Sequence, residues 1–250
     1  MTLGMSGSNC VIREVSKDVW TFSCPLSVMN IFPVGGRLTA IKLRNGDVWV
    51  LASTPLNDPT KAKLREIGTV KHVHLCLGTV WIIGADIYHH MFLADFKKEY
   101  PDAKVIAVDA AKTKKAVAGA GLKFDGAWGA DPPNTKYGFE DDIEHCYFPG
   151  FLNKDVAFLH KDSKTLIQAD LLFNFPAHEQ YSLAGGTQFF SWSRWNPFSW
   201  TNRKTVCQAM RRDAKTVAQW DFDRIIPCHG DVIETGGKNA WTQAYRDFLD

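Results

Sequence analysis

The chain has 250 residues, of which 45% are hydrophobic and 22% charged, with a formal net charge of +2. That is enough apolar material to bury a real core in one large domain or two modest ones, and it is not the composition of a disordered chain. The near-neutral balance offers no basic footprint for nucleic acid, and no apolar run approaches the roughly 20 residues that span a bilayer.

The opening MTLGMSGSNC lacks a basic region followed by an apolar stretch, so no signal peptide is expected. Short strand-like runs fill the first third: CVIREV, VWTFSC, RLTAIKL and DVWVLA. The last two predict a hairpin, because Asn45-Gly46 suits a tight turn with positive φ. NDPTKAKLREIG predicts a short helix with Asp58 as its cap, Pro59 in the first turn and Gly68 past the end. KHVHLCLGTVWII reads as one long strand or two, with Gly78 as a kink or bulge. His72 and His74 alternate on one face of it, where packing or solvent contact accounts for them. YHHMFLADFKKEY has helical periodicity and Pro101 stops it. AKVIAV is a buried strand, and Asp109 opens the helix DAAKTKKAVAGAG.

IEHCYFP, DVAFLH and TLIQAD are three further strands, and His145 on the first of them reads as a core histidine. A long amphipathic helix, TNRKTVCQAMRRDAKTVAQW, precedes a last strand, DRIIPCHG, and a closing helix, GKNAWTQAYRDFL. Strands first, then alternating helices and strands, predict an α/β sandwich with helices outside. Residues 181–200 are unusual: three tryptophans and three phenylalanines stand in a loop-like composition. The six cysteines, Cys10, Cys24, Cys76, Cys146, Cys207 and Cys228, are scattered without a CxxC pair. They read as reduced thiols of a cytoplasmic protein, not as a disulfide framework.

Candidate metal ligands fall at corresponding ends of these elements. His89 and His90 begin a helix just after a strand, Asp170 ends TLIQAD, and His229 ends RIIPCH just before Gly230. Each alone has an ordinary explanation as a helix start, a cap or a turn residue. Together they form a donor set suited to zinc, iron or manganese. Asp86 reads as a cap or as a partner fixing a ligand imidazole.

The order strand-GADIYHH-helix, then TLIQADLLFN, then IIPCHGD resembles the metallo-β-lactamase-fold superfamily over about the whole chain. Within it, the His-His pair before FL and the FN segment after the aspartate resemble a largely fungal branch of poorly defined function. The resemblance implies a single domain, residues 1–250, built as a four-layer αββα metallo-β-lactamase-like sandwich. The superfamily's usual HxHxDH motif covers residues 85–90. Its two leading histidines become Ala85 and Ile87, its aspartate becomes His89, and its last histidine is kept as His90. The next histidine, after a Pro-Gly, is replaced by Phe151. The first metal site is therefore lost as a unit, while Asp170 and His229 stand where the bridging aspartate and final histidine belong. The expectation is one divalent ion, zinc first, on His89, His90, Asp170 and His229.

The function expected is a hydrolase acting through one metal-bound water on a small apolar ester, lactone or thioester. Asp170 and His178 are the candidate catalytic groups, and Tyr88, Phe189, Phe190, Trp192 and Trp195 the candidate substrate-binding residues. A metal-dependent lyase or isomerase of secondary metabolism, or a non-catalytic remnant of the fold, is the alternative reading.

Overall fold

The computed structural model describes residues 3–5, 10–28, 32–68, 78–184 and 204–250. In chain order the elements begin β1 (Leu3–Met5), β2 (Val11–Ser16), β3 (Val19–Cys24), β4 (Leu26–Val28), β5 (Phe32–Pro33), β6 (Gly36–Lys42) and β7 (Val48–Leu51). They continue with α1 (Asp58–Gly68), β8 (Val80–Gly84), α2 (Leu93–Glu99), β9 (Lys104–Val108), a 3₁₀ turn (Asp109–Thr113), α3 (Lys115–Gly119) and β10 (Gly126–Trp128). The second half holds β11 (Ile143–Tyr147), β12 (Val156–His160), β13 (Thr165–Gln168), α4 (His178–Tyr181), α5 (Lys204–Gln219), β14 (Arg224–Pro227) and α6 (Gly237–Leu249).

Two sheets carry the fold. One has the order β10-β9-β8-β7-β6-β3-β2 and the other β11-β12-β13-β14, with β1-β4-β5 as a short third sheet. Strand alternation sorts their side chains into three buried layers. Ile41, Trp49, Leu51, Trp81 and Ile83 of the larger sheet meet Phe158, Ile167 and Ile226 of the smaller one in the centre. The opposite faces of the same strands, through Leu38, Ala40, Val50 and Ile82, bury Leu64 and Ile67 of α1 and Leu93 and Phe96 of α2. On the far side, Ala157, Leu159, Leu166 and Ile225 receive Met210, Ala214 and Val217 of α5 and Trp241, Tyr245 and Phe248 of α6. Both helices present a stripe at the i, i+4, i+7 spacing of one helical face. The order is helices, sheet, sheet, helices, the predicted αββα sandwich.

The Asn45-Gly46 hairpin forms between β6 and β7, with Gly46 at φ +92. Three local expectations are corrected. The cap of α1 is Asn57, one residue earlier than expected. Its Oδ1 accepts the Thr60 amide and its carbonyl accepts the Lys61 amide, which puts Asp58 inside the first turn. The helix expected from Asp109 divides at Lys114 into the 3₁₀ turn and α3. Cys10 and Cys24 are not reduced but joined in a disulfide. The β2–β3 register pairs Val11 with Ser23, so Cys10 and Cys24 stand opposite one another one step further on, with Cα atoms 4.2 Å apart. Cys146 and Cys228 are free thiols. His72, His74 and Cys76 lie outside the described residues. No helix among the described residues is long and apolar enough to cross a membrane.

Candidate metal centre

Several strands end at one edge of the sandwich. The parallel pairs β7–β8 and β13–β14 bring together the turn after Gly84, the stretch after Gln168 and the stretch after Pro227. The antiparallel pairs β3–β6 and β6–β7 add the end of β3, with Ser23, and the start of β6, with Arg37, to the same edge. Here His89, Asp170 and His229 offer ligand atoms that all lie within 4.8 Å of one another. The His229 Nε2 is 3.3 Å and the His89 Nε2 4.0 Å from Asp170 Oδ1.

Each imidazole is held from behind. His89 and His90 lie in turns before α2 and not on the helix as expected, and Asp86 builds the first turn. Its Oδ1 accepts the amides of Tyr88 and His89, and its Oδ2 faces the His89 Nδ1 at 3.0 Å. Asp86 is thus both cap and imidazole partner, with no solvent exposure. A carboxylate and a carbonyl oxygen only accept, so the Nδ1 facing each carries the proton. His89 donates through Nδ1 to Asp86, and His229 donates through Nδ1 to the Gly35 carbonyl at 2.6 Å. Both Nε2 atoms are left to face the site.

Asp170 completes the set. Its Oδ2 accepts from Asn153 Nδ2 at 2.6 Å and its amide donates to Asp155 Oδ2. Its Oδ1 is buried and has no hydrogen-bond partner among the described residues, and neither has Asn153 Oδ1. A buried carboxylate oxygen left unpaired costs free energy, and this one faces the Nε2 atoms of both imidazoles. That is the arrangement of metal donors, and the residues fit a divalent ion. Burial disfavours the Asp170 carboxylate. The charge of His89, the close approach of His229 and the Asn153 amide outweigh it and hold its pKa down to about 2. Burial likewise disfavours the His89 imidazolium, but Asp86 and then Asp170 raise its pKa well above the usual value.

The loop bearing His229 is clamped from three directions. Arg37, fully buried, donates through Nη1 to the carbonyls of Pro227 (2.7 Å) and Gly230 (2.6 Å). Gln180 of α4 donates to the Cys228 carbonyl and accepts from the Gly230 amide. Gly230 sits at φ +85, and a Cβ there would meet the Asn174 carbonyl oxygen at 2.2 Å. Burial pushes the adjacent Cys228 thiol up to about 11, so it stays a neutral thiol donating toward Ser53 Oγ.

The other expected site residues fall as follows. His90 stands outside the close donor set, its Nδ1 bonded to the Ile87 carbonyl at 2.9 Å. His178 is exposed at the start of α4 and also outside the set. Tyr88 is 47% exposed beside His89. His145 is packed among Trp128, Tyr137 and Phe139, with the Trp128 indole donating to its Nδ1. Phe189, Phe190, Trp192 and Trp195 lie outside the described residues. Sequence reasoning missed Asn153, Asp155, Arg37 and Gln180, which carry no local signal. It also missed Phe173, whose ring meets that of His229 edge-on at 5.4 Å. Ala85 and Phe151 are buried, and Ile87 packs against the central core, so apolar side chains occupy the three positions where further histidines would be needed.

The model of the family described as domain of unknown function DUF4336 matches residues 16–183. No curated protein matches the sequence. Among solved structures, a metallo-beta-lactamase from Pontibacter korlensis is 14% identical over 93% of this chain and 96% of its own, with a TM-score of 0.58. One from Erythrobacter litoralis is 10% identical over 98% and 100%, with a TM-score of 0.60. The metallo-beta-lactamase FIM-1 from Pseudomonas aeruginosa, in its mono-zinc form, is 11% identical over 96% and 97%, with a TM-score of 0.58. These likenesses show the fold: the sandwich is that of the metallo-β-lactamases.

Proposed function

The chain belongs to the DUF4336 family, and we propose that it is a metal-dependent hydrolase working with one divalent ion, zinc first. The observation that carries this reading is the unpaired, buried Asp170 Oδ1 facing the two Nε2 atoms of His89 and His229. Two imidazoles and a carboxylate are a catalytic zinc set that leaves room for a further ligand. His90 is proposed as the fourth protein donor through its Nε2, since its Nδ1 already bonds the Ile87 carbonyl. When bound, the ion would supply a Lewis acid that polarises an acyl oxygen and acidifies a coordinated water.

The chain's own groups have distinct parts in this reading. Asp170 stays ionised and can orient a water by accepting its hydrogen bond. Asp86 and Gly35 hold the imidazole tautomers. His178 is proposed to exchange protons with the leaving group from the loop after Asp170. A small apolar ester, lactone or thioester is the proposed substrate, supported by exposed Tyr88 and by Phe173 against His229. Phe189, Phe190, Trp192 and Trp195 are proposed to cover it. The whole chain is taken as one domain of the His-His branch, mostly fungal, that the sequence resembles. A cytoplasmic location stays a proposal against which the Cys10–Cys24 bond weighs, since disulfides persist mainly in oxidising compartments.

The test is turnover of neutral aryl esters, lactones and thioesters by zinc-loaded protein in oxygen-18 water. Label in the acid product, lost in His229→Ala, is expected. Turnover without label would move the reaction to a lyase or isomerase. Turnover that survives complete metal removal would end the reading.

A further inference from the structure

We propose that Lys114, with Tyr88 and Leu152, forms a recognition rim beside the metal donors that binds a carboxylate carried on an aromatic or alkyl body. This deepens the hydrolase reading and rests on it for the site's position: it adds a carboxylate at one end of the apolar ester, lactone or thioester proposed above.

The topology puts these residues together. β8 and β9 are parallel, with Gly84 opposite Ala107, so the segments leaving them run out side by side at one edge. The first carries the Asp86–His90 turns. The second carries the 3₁₀ turn and Lys114, whose Nζ stands 5.2 Å from the centroid of the Tyr88 ring. The nearby Lys112 is neutralised by Asp109 at 2.7 Å, whereas Lys114 makes no ion pair among the described residues. An ammonium over an aromatic face has three donors, and the ring occupies none of them, so donors are left for a ligand.

The apolar half of the rim is equally specific in place. Tyr88, Leu152 and Leu183 are the large hydrophobic side chains left exposed among the described residues, at 47%, 53% and 62%. Tyr88 directly precedes His89. Leu152 directly precedes Asn153, whose side chain holds Asp170, and the Ile87 amide bonds the Asn153 carbonyl at 3.0 Å, tying the two segments together. A cation over Tyr88, which adjoins His89, and an exposed leucine next to the Asn153 that holds Asp170 match a ligand that is apolar over most of its surface and anionic at one end.

The test is calorimetric binding of phenylacetate and of its neutral counterpart phenylacetamide to zinc-loaded protein, which needs no turnover. Phenylacetate is expected to bind about tenfold more tightly, the size of one charge-assisted contact. Lys114→Gln should abolish that gap, Lys114→Arg should keep it, and Tyr88→Ala should weaken both ligands, with zinc content unchanged in all three. A carboxylate held through the ion alone would be insensitive to position 114. An unchanged gap in Lys114→Gln, or equal affinities in the parent protein, would therefore overturn the proposal. If the anion preference appears but no ester, lactone or thioester is cleaved, the hydrolase reading fails and the rim stands. If cleavage occurs without the preference, the reverse holds.

Discussion

Asp86 turns a pair of adjacent histidines into two different residues. It holds the amide and the ring of His89, while His90 turns to the Ile87 carbonyl. Asp86→Asn should weaken zinc binding by roughly 10- to 100-fold, as loss of such a partner typically does, measured by competition with a chelator. The same residue sets the pH dependence. His89 has a raised pKa, so its imidazolium stabilises the metal-free fold fully below the unfolded value of about 6.5. That contribution is lost as pH rises through the folded value. An ion needs the unprotonated Nε2, so zinc uptake should release this proton, and affinity should climb with pH until the raised value is passed. In Asp86→Asn the climb should end at lower pH. Asp170 acts with the opposite sign. Its depressed pKa gives stability that is present above the usual carboxylate value and lost as pH falls toward about 2.

At the scale of elements, the site depends on how the β14 loop is held. Arg37→Met would leave the buried carbonyls of Pro227 and Gly230 without their donor. The expected loss is about 2–5 kcal/mol by denaturant unfolding, at one to a few kcal/mol per orphaned acceptor. Zinc affinity should fall with it, because His229 lies between those carbonyls. Gly230→Ala must move the loop from Asn174 and adopt a strained φ, so it should lose the ion as well as stability. The β2–β3 pair supplies a separate test. Replacing Cys10 and Cys24 by serine removes a cross-link of sequence separation 14. It should cost about 2–4 kcal/mol through the entropy of the unfolded chain, with zinc content unchanged.

For the whole molecule, the question is how many ions the sandwich holds. Buried Ala85 and Phe151, with Ile87 against the core, occupy one set of positions, and His89, Asp170 and His229 the other. Elemental analysis of protein purified without chelators should therefore find one divalent ion per chain. Two ions, or none after loading, would contradict this. Zinc at a thousandfold above its dissociation constant should add about 4 kcal/mol by linkage. In a chain of this length that raises the melting temperature by about 10 °C, and a chelator should reverse it.

Much of this molecule is local and therefore legible in the linear chain. Short apolar runs mark β3, β6, β7, β12, β13 and β14. Helical spacing marks α5 and α6, and Asn45-Gly46 marks the hairpin, since each signal depends on residues a few positions apart. The order of those elements points to the sandwich, and Asp170 and His229 are visible because they follow strands directly. What the linear chain could not decide is what meets across the fold. Cys10 faces Cys24 only because the β2–β3 register puts them opposite. Arg37 opens an ordinary-looking strand, yet it is buried because the start of β6 lies under the His229 loop. Asn153 and Asp155 reach Asp170 only through the packing of neighbouring strand ends. His89 and His90 are one residue apart and chemically identical. Only the turn that Asp86 folds sends one toward Asp170 and leaves the other outside the close set, because a side chain's direction is set by backbone conformation and by partners brought from distant parts of the chain.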